Sequence, residues 1–130
     1  MTIVDTSAWV EYLRGTNSRT HATLLGLIQS GNPILTTDVI VMEVLAGGRN
    51  FEHTTSLHRM LAMCEFIPTA GLSDYQDAAA LYRICRSKGA TIRSLNDCLI
   101  ATIAIRTGNA LLHNDTDFDA ISANSNLKIY

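Results

Sequence analysis

Short apolar runs alternate along this chain with longer stretches whose apolar residues recur at helical spacing. Thr2-Ile3-Val4 is a β-rich run ending at Asp5, and the hydroxyl residues Thr6 and Ser7 follow as candidate caps for a helix. That helix carries Trp9, Val10 and Leu13 inward and stops at Gly15. Leu24, Leu25, Leu27 and Ile28 keep helical intervals over residues 18–30, until Gly31-Asn32-Pro33 breaks the pattern ahead of a strand at Ile34-Leu35-Thr36. A third helix opens at Thr37 or Asp38 and ends at Gly47-Gly48; it is apolar almost all the way round, which predicts burial.

The second half repeats the alternation. Residues 51–63 place Leu57, Met60 and Leu61 on one side of a helix, and Glu65-Phe66-Ile67 before Pro68 reads as a strand. Ser73 with Gln76 has the form of a capping box for a long helix through Ala78, Leu81, Tyr82 and Cys85, closed by Lys88-Gly89. Ser94 with Asp97 has the same form and opens an apolar helix to Ile105, which Thr107-Gly108-Asn109 terminates. A strand at residues 110–113, a turn or short helix at 115–121 and a last strand at 127–129 complete the chain. Strands alternating with helices predict an α/β fold, a mostly parallel sheet with helices on both faces. No linker, repeat or low-complexity stretch divides residues 1–130, so one domain is expected.

Composition narrows the picture. With 47% apolar and 17% charged residues in 130, the chain has the material for a large core without a disordered tail. A net charge of −2 gives no nucleic-acid footprint, although a bound metal would reverse the sign locally. Cys64, Cys85 and Cys98 are odd in number and lack C-x-x-C spacing, so free thiols are expected. No signal-peptide pattern opens the sequence, and residues 98–105 are too short a run to span a bilayer. A cytoplasmic protein is the expectation.

The candidate chemistry is acidic. Asp5, Glu43, Asp97, Asp115 and Asp117 all lie in or beside apolar segments, where an ionised carboxylate is costly unless compensated. Asp5 ends the first strand and Asp115 follows the fourth; in open α/β sheets, ligands bind in the crevice outside such strand ends. The two share that crevice if strands one and four are neighbours. Each acid also has an ordinary reading: Asp97 as part of the Ser94 box, Asp115 or Asn114 as a helix cap, Asp117 and Asp119 as solvated turn residues. Glu43 resists one, because Val39, Ile40, Val41, Met42, Val44 and Leu45 surround it.

Gathering such acids costs roughly 3 kcal/mol per pair at about 5 Å and an effective dielectric of about 20, so convergence calls for a cation. Oxygen-only ligands suit Mg²⁺ or Mn²⁺, and His21, His53, His58 and His113 show no zinc spacing. Metal-dependent phosphodiester hydrolysis is the reaction class that follows. Dinucleotide, P-loop and serine-hydrolase motifs do not occur.

Four segments then carry a resemblance. Ile3-Val4-Asp5-Thr6-Ser7-Ala8, Met42-Glu43-Val44-Leu45-Ala46-Gly47, Asn96-Asp97-Cys98-Leu99-Ile100-Ala101 and Asn114-Asp115-Thr116-Asp117-Phe118, in this order, resemble the PIN domain, specifically the VapC type of toxin ribonuclease. The resemblance implies a three-layer α/β/α fold and Mg²⁺- or Mn²⁺-dependent endoribonuclease activity. Asp5, Glu43, Asp97 and Asp115 match the metal-holding acids, and Asp117 matches an additional one. Ser7, or else Thr6, matches the hydroxyl that orients the first carboxylate. It also implies a homodimer and a VapB-type antitoxin, for which Trp9, Tyr12, Phe51 and Met60 offer apolar surface; Trp9 or Phe51 should lose exposure in the complex. Arg93 and Arg14 are the candidates for gripping RNA phosphates. The rival accounts are a PIN nuclease of RNA processing, a non-catalytic PIN-like scaffold for RNA or protein, and a small-molecule phosphohydrolase.

Overall fold

The computed structural model describes residues 1–130. In chain order the elements are β1 (Thr2–Val4), α1 (Thr6–Arg14), α2 (Arg19–Gln29), β2 (Ile34–Thr37), α3 (Asp38–Ala46), α4 (Phe51–Ala62), β3 (Glu65–Ile67), α5 (Leu72–Ser87), α6 (Leu95–Thr107), β4 (Ala110–Leu112) and α7 (Thr116–Ala123). The strands form one sheet of order β3-β2-β1-β4, with every pair parallel. β1 therefore has β2 on one side and β4 on the other, and the β1/β4 boundary is the topological switch point. All three residues of β1 are buried although successive strand side chains face opposite sides, so helices cover both faces in an α/β/α sandwich. Register pairs Val4 with Leu112, which sets the residues just past β1 and β4 at one end of the sheet.

The most buried helix is α6, whose residues 97–104 are all buried. Its apolar surround is met by β-strand side chains such as Ile3 and Leu111 and by Phe118 of α7, all within one continuous core. The prediction of full burial for α3 is corrected. Val39, Ile40 and Val44 are buried, but Met42 is 57% exposed, so α3 has one solvent-facing side.

Three other expectations change at the element ends. Asp5, not Thr6 or Ser7, caps α1, its carboxylate accepting the Ser7 N–H. The Ser73/Gln76 capping box does not form: Gly71 precedes α5 with φ of 65°, and the Ser73 hydroxyl turns back to the Ala70 carbonyl. Asp74 takes the Ala70 N–H instead, at 2.7 Å. The last strand reduces to a single parallel bridge between Leu111 and Ile129. No helix is long and apolar enough to cross a membrane.

Candidate active site

The acids lie at the carboxyl end of the sheet, Asp5 after β1, Glu43 on α3, Asp97 on α6, and Asp115 and Asp117 at the start of α7. Asp5 extends the β1–β4 ladder by one residue, its N–H donating to the Leu112 carbonyl at 2.9 Å. One carboxylate oxygen, Oδ2, accepts the Ser7 N–H at 2.9 Å and the Ser7 hydroxyl. The same hydroxyl accepts the Asn114 N–H at 2.9 Å, so Ser7 ties the end of β1 to the segment after β4. Ser7 thus orients the first carboxylate. Thr6 does a parallel job for another acid, donating to Glu43 Oε1 at 2.8 Å from α1 to α3.

Asp97 enters from the third position of α6 and Asp115 caps α7, while Asp117 is the second residue of that helix. Oxygens of Asp97, Asp115 and Asp117 lie within 4.8 Å of one another. Asp5, Asp97 and Asp115 also share a local advantage, each sitting at a helix N-terminus where the backbone dipoles favour negative charge. Asp119 is exposed and lies 3.4 Å from His113 Nε2, outside the group.

Proton affinities register the crowding. Burial raises the Asp5 carboxyl; the hydrogen bonds from Ser7 oppose that rise, and Glu43 adds to it. Burial also pushes the Asp97 carboxyl up to about 7, reinforced by Asp5, Asp115, Glu43 and Asp117. The box with Ser94 is not what holds Asp97: Ser94 accepts the Asn96 N–H, and the Asp97 carboxylate accepts no hydrogen bond. Asp5 Oδ1 is likewise buried with no donor. The oxygens of Asp97, Asp115 and Asp117, clustered in one place, fit a hard divalent cation, and Asp5 and Glu43 lie near enough to raise the Asp97 carboxyl.

The two candidate arginines differ. Arg14, at the exposed end of α1, lines a cavity of about 340 Å³ that reaches Thr6 and Glu43. Arg93 is not free: it pairs with Asp115 at 2.7 Å and with Asp117 at 3.0 Å. Arg49 and His53 line the Arg14 cavity too, and nothing in their spacing announces it. Trp9 departs from its expected role, being 2% exposed and part of the core, so it has no exposure to lose; Phe51 is 86% exposed.

The PIN domain family profile matches residues 2–124. The chain belongs to the PIN domain family. Among PIN proteins it is 39% identical over 129 residues to the ribonuclease VapC11 of Mycobacterium tuberculosis, covering 98% of this chain and 96% of that relative. A VapC ribonuclease of Mycobacterium bovis matches to the same extent. The fold is similar to that of VapBC2 from Rickettsia felis bound to a promoter DNA fragment, with a TM-score of 0.76 at 21% identity, over 99% of this chain and 96% of that one. It is also similar to VapC20 of Mycobacterium tuberculosis, described as a sarcin-ricin loop cleaving toxin, with a TM-score of 0.70 at 16% identity, over 98% and 99% of the two chains.

Proposed function

We propose that this PIN protein is the toxin of a VapBC-type toxin–antitoxin pair, an endoribonuclease that hydrolyses RNA phosphodiester bonds with Mg²⁺ or Mn²⁺. The observation that carries the reading is the cluster of Asp97, Asp115 and Asp117 with Asp5 and Glu43 acting on Asp97 from nearby, the Asp97 carboxylate and Asp5 Oδ1 lacking any donor. The printed activity of the 39%-identical relatives points the same way.

When bound, a divalent cation lowers the pKa of its water toward neutrality and offsets charge on the phosphate. The chain supplies the rest. Ser7 fixes Asp5 through Oδ2, so that the donorless Oδ1 would be available to hold a cation, and Thr6 fixes Glu43 through Oε1. The helix N-termini under Asp5, Asp97 and Asp115 limit the cost of holding these charges together. Without a cation the acids repel RNA, which makes substrate binding depend on the metal. Arg14, at the far end of the cavity that reaches Glu43, carries a guanidinium suited to gripping a flanking phosphate.

The partner we infer is a VapB-type antitoxin, as in the VapBC assemblies whose fold this chain shares. Tyr12, Ile28, Met60 and Met63 line an apolar groove of about 480 Å³ between α1, the end of α2 and α4, suited to a peptide side chain. A homodimer belongs to the same proposal, and light scattering on the purified chain tests it.

Incubating structured RNA and generic phosphate esters with the protein tests the activity. Cleavage of RNA alone, requiring Mg²⁺ or Mn²⁺ and lost in Asp97→Asn, is the expected result. Equal cleavage by that variant would remove the mechanism, and ester hydrolysis without RNA cleavage would move the protein to another substrate class.

A further inference from the structure

Arg93 is the only cationic side chain paired with the acid set. Its Nη2 donates to Asp115 Oδ1 at 2.7 Å and its Nε to Asp117 Oδ2 at 3.0 Å. The backbone N–H of Arg93 donates to that same Asp117 oxygen at 3.1 Å. Asp115 and Asp117 are two of the three acids whose oxygens cluster within 4.8 Å, so the guanidinium neutralises two of the carboxylates that a divalent cation would need.

The backbone on either side is held, by buried Ile92 before it and by the Ser94 cap of α6 after it. The side chain itself is 71% exposed. It can therefore leave the acids by rotamer changes alone, while the Arg93 N–H keeps Asp117 in place. Solvent-exposed ion pairs are weak, so a divalent cation can displace this one. The planar fork that fits two carboxylates fits a phosphate equally well.

We propose that Arg93 is an exchangeable counter-ion: its guanidinium and the divalent cation compete for Asp115 and Asp117, and cation entry turns Arg93 outward to the RNA phosphate. This rests on the metal-dependent reading above. Arg93 thereby sets cation affinity and ties it to substrate binding, which separates it from Arg14, a rim residue with no such tie.

Titration of Mn²⁺ into the full chain, followed by calorimetry and by the electron paramagnetic resonance of free Mn²⁺, tests the competition. Arg93→Gln should bind Mn²⁺ roughly threefold to tenfold more tightly than the parent, as loss of two exposed ion pairs allows. Arg93→Lys should fall between them, because a compact ammonium does not span both carboxylates. In chelator, Arg93→Gln should also melt below the parent and gain more from added Mn²⁺. Equal or weaker Mn²⁺ binding by a folded Arg93→Gln overturns the proposal and makes the pair a fixed latch. If Arg93→Gln does not fold, Arg93→Lys decides by the same criterion. Mn²⁺ binding of equal strength in all forms strikes only this inference, whereas binding by none strikes the metal reading and the inference with it.

Discussion

Asp97 and Asp74 occupy the same position, the third residue of a helix, and both are buried, at 9% and 1% exposure. Their proton affinities nevertheless move in opposite directions. For Asp74, burial pushes upward, but the hydrogen bonds of Arg106, the Ala70 N–H and the charge of Arg106 together outweigh it. Arg106 reaches both Asp74 oxygens at 3.0 Å and extends to the Pro68 carbonyl at 3.1 Å, closing the start of α5 onto the end of α6. For Asp97, burial has no such opponent, and four neighbouring acids add to it. A buried carboxylate is thus not by itself a sign of function. The informative feature is compensation left undone by the protein, which an external cation can complete.

The largest break in this comparison should come from neutralising Asp97. Asp97→Asn removes a charge that the fold does not compensate, so RNA cleavage should fall roughly 10³-fold, the scale of a lost metal contribution. Its thermal midpoint should hold or rise; a marked fall would mean that Asp97 serves the fold as Asp74 does. Asp74→Ala should do the reverse. Losing the buried Asp74 carboxylate and the hydrogen bonds it accepts from Arg106 and the Ala70 N–H should cost about 2 kcal/mol in denaturant unfolding while activity per folded molecule is retained. Loss of activity without loss of stability would erase the distinction.

A smaller effect should follow from Ser7→Ala, which releases Asp5 Oδ2 and unties the Asn114 N–H. Metal affinity should weaken roughly tenfold to hundredfold, the range seen when support for a ligand is removed. Unchanged Mn²⁺ binding would show that the backbone alone holds Asp5.

The smallest effect is a pH dependence that sets the two acids against each other. Asp97 is raised from 3.8 to about 7, so its stabilising contribution is complete below 3.8 and is lost as pH rises through about 7. Asp74 is lowered from 3.8, so its contribution is present above that value and lost as pH falls through its folded pKa. In chelator, the thermal midpoint should therefore drop by a few degrees as pH rises from mildly acidic to neutral. Mn²⁺ should abolish that drop by favouring ionised Asp97. A midpoint that climbs toward neutral pH in chelator would contradict the Asp97 assignment.

The alternation of strands and helices was legible because apolar spacing and glycine or proline breaks are local signals. They located all four strands of the sheet, and Asp5 and Asp115 could be placed at strand ends before any adjacency was known. Long-range geometry was not legible. The Arg106–Asp74 pair joins residues with no periodic relation, and the turn of Arg93 onto Asp115 and Asp117 depends on how α6 and α7 dock. At α5, the Ser73 pattern misled because Gly71 enters with positive φ and Asp74 takes the free N–H. At α3, sequence patterning could not show that the Met42 side faces solvent, since hydrophobicity does not reveal which side lacks a neighbour.

Anomalous diffraction from crystals grown with Mn²⁺ tests the central claim most directly. The account predicts a peak within coordination distance of Asp5, Asp97 and Asp115, lost in Asp97→Asn, and none at Asp74. Mn²⁺ bound elsewhere, or absent from those acids at saturating concentration, would contradict it.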